Sequence, residues 1–219
     1  MSSVEINPLG AVLLAASCAA LIIVTAEFLH RRGLSGEITR KLVHIGAGLY
    51  VPFALLVFTR RSWTVIPPLV FALVNFVVWR FGWLPSISQK PRSRPGIILY
   101  PLVIAIAIYA MWETPWMAIG TVLPMSFGDA AAAVVGIHWG KHRYQAFGAD
   151  RSVEGSAAMF LVSGIALFVT LSAFGMDDPL IPALLAASLA TIVEGISPPS
   201  VDNVTVPAVT LASLAIFSM

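Results

Sequence analysis

Eight apolar stretches, at about 8–29, 42–59, 63–80, 96–112, 115–137, 156–174, 179–194 and 204–218, each come near the ~20 residues that carry a helix across a hydrocarbon core. Lipid offers the backbone no hydrogen-bond partners, so a chain built of such runs must satisfy its peptide groups within each segment. The expected fold is an all-α integral membrane protein, a polytopic bundle of about seven or eight transmembrane helices. The last two runs are short. Pro198, Pro199 and Pro207 predict irregular backbone over 195–207, tolerated at membrane depth where it lines a cavity. Only 11% of residues are charged, against about 25% in soluble domains. No shift in composition marks off a soluble part, so residues 1–219 are expected to form one transmembrane domain that begins with a retained anchor helix at about 8–29. No nucleic-acid partner is expected, and nothing in the sequence sets an oligomeric state.

Charge is segregated. In this topology Arg31, Arg32, Arg40, Lys41, Arg80, Lys90, Arg92, Arg94, Lys141, Arg143 and Arg151 share one side, and only Arg60 and Arg61 take the other. Basic loops stay cytoplasmic, which puts the N-terminus outside. The acids divide too. Glu113, Asp177 and Asp178 sit in outer turns, whereas Asp129, Glu154, Glu194 and Asp202 fall at or near the cytoplasmic helix ends beside the basic loops. An acid inside an apolar span costs on the order of 2.5–3.5 kcal/mol, so it marks a functional site by default. Carboxylates and cations converging on one face of a bundle suit a metal-bound polyphosphate. Cys18, the single cysteine, allows no intrachain disulfide and reads as a small core residue.

The stretch Thr121–Ser156 carries most of this chemistry. Asp129 lies beside a stripe of Gly128, Ala132 and Gly136 that lets another helix approach closely, and Pro124 just upstream invites an irregular helix. A carboxylate there can hold Mg²⁺ with nucleotide phosphates, or pair structurally with a nearby cation. Arg40, Lys41 and His44 share a helical face, giving phosphate capture with a proton-handling partner. The run from Gly136 to His142 lacks the spacing of a Walker A loop, and His138 and His142 have no third ligand for zinc. In Arg151-Ser152-Val153-Glu154-Gly155-Ser156, Ser152 caps a helix whose free amides could join Arg151 on a phosphate, with Glu154 serving metal or base. Tyr100 and Glu194 are candidate lining residues. Lys90, Arg92 and Arg94 suit anionic lipid, and the Asn203-Val204-Thr205 sequon is discounted because it falls on the cytoplasmic side.

Taken in order over roughly residues 38–210, RKLVHIGAG, YP, GDAAAAVVG, GKHR, RSVEGS, a lone helical Glu and DNVTVP resemble the membrane lipid-alcohol kinases. That family includes dolichol, phytol and farnesol kinases and the yeast-type CTP-dependent diacylglycerol kinase; in length the chain is most similar to the phytol and farnesol enzymes. The resemblance implies a cytoplasmic, Mg²⁺-dependent site that uses CTP to phosphorylate phytol, farnesol, geranylgeraniol or a polyprenol. Asp129, with Glu154 or Asp202, would hold Mg²⁺. Arg40, Lys41, Gly128, Lys141, Arg151, Ser152, Gly155 and Asn203 would bind the nucleotide, with Tyr100 and Glu194 lining the site. His44, Asp129 or Glu154 would take the alcohol proton. Arg151 stands where the family pattern has Lys, which keeps the charge but changes its geometry. A membrane cytidylyltransferase making a CDP-lipid, and an ion-coupled transporter, remain the alternatives.

Overall fold

The computed structural model describes residues 7–81 and 96–217; Lys90, Arg92 and Arg94 lie outside the described residues. In chain order the elements are α1 (Pro8–Arg31), α2 (Gly36–Val57), α3 (Arg61–Thr64), α4 (Ile66–Phe81), α5 (Gly96–Ala110), α6 (Pro115–Leu123), a π-helical turn (Pro124–Gly128) and α7 (Asp129–Trp139). There follow β1 (Arg143–Ala146), β2 (Ala149–Ser152), α8 (Val153–Ala173), α9 (Leu180–Ile196) and α10 (Asp202–Ala215). Among the described residues, five helical runs are long and apolar enough to cross a bilayer: α1, α2, α3 with α4, α6 through α7, and α8. Two more, α5 and α9, are apolar but shorter. The molecule is a helical membrane protein. Leu13, Leu21 and Val24 of α1 and Leu161 and Ile165 of α8 point outward, where lipid would cover them.

Three helices, α1, α2 and α8, start where a side chain takes up a free amide. Asn7 Oδ1 accepts from Leu9 N–H at 3.0 Å, Ser35 Oγ from Ile38 N–H at 3.3 Å, and Ser152 Oγ, as the sequence predicts, from Gly155 N–H at 3.0 Å. Inside, α8 packs along α7 and α9, while α10 lies against α9 and α6. Small residues set the closest approaches. A Cβ on Gly128 would run into Ser163 Oγ of α8, and one on Gly155 would lie 2.8 Å from the Ala132 carbonyl oxygen. Pro124 brings the irregularity expected of it: the Asp129 N–H bonds the Pro124 carbonyl five residues back, and this extra residue re-aims the start of α7.

Two local expectations are corrected. The irregular stretch is only Ser197–Val201; α10 begins at Asp202 and carries Pro207 inside it. Pro52 and Pro101 likewise sit within α2 and α5, because neighbouring groups in a membrane bundle can accommodate the lost N–H. The stretch after α7 is an antiparallel hairpin in which Arg143 faces Ser152 and Ala146 faces Ala149. Its two-residue turn places both Phe147 (φ 48) and Gly148 (φ 81) in the left-handed region, the backbone that matches the twist of paired strands. Ser152 thus ends a strand and caps α8, which starts at Val153.

Candidate active site

At one end of the bundle α2, α7, α8, α9 and α10 surround a polar cavity of about 380 Å³, walled on one side by the hairpin. Besides Glu37 and Asp150, three carboxylates line it from separate elements and converge: Asp129 at the start of α7, Glu194 in the last turn of α9 and Asp202 at the start of α10. The short break between α9 and α10 brings the latter two together. Ser197 pins that break, its Oγ donating to the Val193 carbonyl at 2.6 Å and lying 2.7 Å from Thr205 Oγ1. One oxygen from each carboxylate lies within 4.8 Å of the others, and all three side chains are buried.

Burying like charges so closely requires compensation, since the penalty for an unpaired buried ion is several kcal/mol. Lys41 of α2, itself buried, forms an ion pair with Asp129. Arg151 of β2 pairs with Glu194, stands 3.6 Å from Asp202 Oδ2 and donates from Nη2 to the Ser197 carbonyl at 3.3 Å. Arg40 lines the same cavity. Lys41, Arg40 and Arg151 thus stand with Asp129, Glu194 and Asp202, which puts hard oxygen donors and cations in one cavity.

The other residues singled out from sequence divide. Ser152 and Gly155 line the cavity. Glu154 does not join the carboxylates: its side chain turns to the exposed His142, 2.7 Å from Nδ1, and accepts from the His142 N–H at 3.2 Å. One turn of α8 points neighbouring side chains in different directions, so adjacent Gly155 faces the cavity while Glu154 does not. Lys141 is exposed and does not line the cavity, and Gly128 faces α8. Asn203 is a buried support, donating its N–H to Asp202 Oδ1 at 2.9 Å and its Nδ2 to the Ser200 carbonyl at 3.3 Å. Behind the cavity His44 lies against Tyr100, ring centroids 4.5 Å apart, with Tyr100 hydrogen-bonded to Ser126. Neither ring nitrogen of His44 has a hydrogen-bond partner among the described residues, although the residue is buried.

Two features were not singled out from sequence. The hairpin contributes Arg143 and Asp150 to the cavity, with Asp150 Oδ1 accepting from Gln145 Nε2 at 2.6 Å. On α4, Asn75 is buried; it donates to the Ile97 carbonyl at 2.7 Å while its Oδ1 has no partner among the described residues. Its signal was present, as the one carboxamide in the largely apolar run 63–80.

No family model matches the chain, and no solved structure matches it. It is 37% identical over 210 residues to a protein named phytol kinase from Synechocystis sp., an overlap of 90% of this chain and 87% of that relative.

Proposed function

The chain belongs to the phytol/polyprenol kinase family, and from that premise we propose that it transfers the γ-phosphoryl group of a nucleoside triphosphate, CTP, to the hydroxyl of a phytol-type isoprenoid alcohol. The observation that carries this reading is the convergence of Asp129, Glu194 and Asp202 with Lys41, Arg40 and Arg151 in one cavity at the end of an apolar bundle. Phosphoryl transfer needs little covalent chemistry from the protein; it needs charges held in place around a triphosphate and an in-line acceptor. CTP as donor is supported by the ordered motifs, and a cytoplasmic opening by the basic residues that line the cavity.

Asp129, Glu194 and Asp202 would hold Mg²⁺, a cation that prefers hard oxygens and shares its coordination with phosphates. The bound ion would supply positive charge against the charge that develops on the phosphates during transfer. Lys41, Arg40 and Arg151 oppose the remaining phosphate charge. His44 lies one helical turn from Arg40 and Lys41 and has a free ring nitrogen, which fits it to take the alcohol proton. The alcohol oxygen then bonds to the γ-phosphorus, the bond from phosphorus to the bridging oxygen breaks, and the nucleoside diphosphate leaves.

The decisive assay offers purified protein γ-labelled CTP, ATP, GTP and UTP with phytol, farnesol, geranylgeraniol and a short dolichol. The expected product is labelled lipid monophosphate from CTP, abolished by chelation and restored by Mg²⁺. With α-labelled CTP, a CDP-lipid accompanied by pyrophosphate would instead establish a cytidylyltransferase. No transfer by folded protein to any alcohol would end the kinase reading. A second expectation separates two glutamates: Glu194→Gln loses turnover, whereas Glu154→Gln retains it because that carboxylate is engaged by His142 outside the cavity lining. Equal losses would return Glu154 to the site.

A further inference from the structure

A second cavity, apolar and about 240 Å³, lies between α1, α2, α4 and α5. It exists because the facing positions are small: Ala15, Cys18 and Ala19 on α1 meet Gly46 and Ala47 on α2 with a gap between them. Along α2 it runs from Val43 to Phe53, about 15 Å at 1.5 Å per residue. Cys18, expected in the core, is instead exposed on the groove wall. The groove does not stand alone. It shares Val43, Ala47, Phe71 and Pro101 with a narrow neck of about 10 Å³, and the neck shares Arg40 with the polar cavity. Asn75, His44 and Tyr100 line the neck, and the first two carry buried polar atoms without partners. A volume near 10 Å³ suits one water-sized group.

Resting on the kinase reading above, we propose that this groove holds the isoprenoid chain of the alcohol and that the neck receives its hydroxyl between His44 and Asn75. The groove would be reached sideways from the bilayer, where such an alcohol dissolves. The hydroxyl has one hydrogen: on arrival it is donated to the open Oδ1 of Asn75, and rotation about the C–O bond turns it to an open ring nitrogen of His44 for transfer, on the side where Arg40 is shared with the polar cavity. The branched chain fills space that the small residues of α1 and α2 leave. Asn75 is on this account a positioning residue that selects an alcohol over a plain hydrocarbon.

Cys18, as the single thiol, reports on the groove without any substitution. Labelling of the purified full chain by N-ethylmaleimide is expected to slow several-fold with phytol and much less with phytane, its hydrocarbon counterpart, and Asn75→Leu is expected to remove that difference. Ala19→Phe narrows the groove far from the polar cavity, so the ratio of kcat/KM for phytol to that for geraniol should fall by about tenfold or more, the order that misplaced methylenes cost. If Ala19→Phe does not fold, labelling of the unsubstituted protein decides. Equal labelling rates with and without phytol, equal protection by phytol and phytane or by phospholipid, or an unchanged chain-length profile would each overturn the assignment. Hydroxyl-dependent protection in a protein that phosphorylates no alcohol would keep the groove as an isoprenoid-alcohol site and overturn the kinase reading.

Discussion

Asp129→Asn is expected to lower phosphoryl transfer by on the order of a hundredfold or more, the range seen when a ligand-orienting or charge-stabilising group is lost from a preorganised site. It should also destabilise the protein. The aspartate is the buried partner of Lys41, and removing one member of such a pair strands the other charge at a cost of about 3–5 kcal/mol. For a chain of this size that corresponds to roughly 10 °C in thermal midpoint. The two effects can be separated. The double variant Lys41→Met with Asp129→Leu leaves no stranded charge and should regain most of the midpoint while remaining inactive, because replacing both members of a buried pair by apolar groups is often neutral. Turnover and thermal unfolding, measured in the same detergent, test both statements. Near-normal turnover in Asp129→Asn would remove this residue from the mechanism.

Arg151→Met should be nearly as severe, for a different reason. This guanidinium stands against both Glu194 and Asp202, so its loss leaves two buried carboxylates close together. Activity should fall below detection, and the thermal midpoint should become more dependent on Mg²⁺ than in the unsubstituted protein, since a divalent ion can then replace the lost charge. Arg151→Lys should be intermediate: an ammonium keeps the charge but not the fork that reaches two carboxylates and the Ser197 carbonyl. A midpoint in Arg151→Met that equals the parent's and is indifferent to Mg²⁺ would sink this account.

The helices were legible because lipid leaves the backbone one solution per apolar run, and length alone then places them. Pro124 and Asp129 were legible for a related reason, each being costly in a membrane helix without a local use. What could not be read was pairing. Lys41 and Asp129 meet from positions 88 residues apart, and no spacing rule joins them. The choice between Glu154 and Glu194 depends on how α8 and α9 are turned about their axes, which their nearly uniform apolar surfaces do not encode. The hairpin was hidden by Phe147, a residue that seldom adopts positive φ, in a turn where Asn or Asp would have been the signal. Pro207 misled because its penalty in a soluble helix is larger than in a bundle that supplies other partners.

The pairing of Lys41 with Asp129, and of Arg151 with Glu194 and Asp202, bears on how ligands arrive. Each of these three acids faces a cation of the protein itself. On the proposed function a lone divalent ion would compete with a lysine and an arginine, and a lone triphosphate with three carboxylates. Arriving together, the two would exchange partners with the protein and keep these charges opposed. Metal and nucleotide should therefore strengthen each other's binding by the same factor, as reciprocal coupling requires. Selection for the metal-bound nucleotide over either component would then be built into the resting ion pairs.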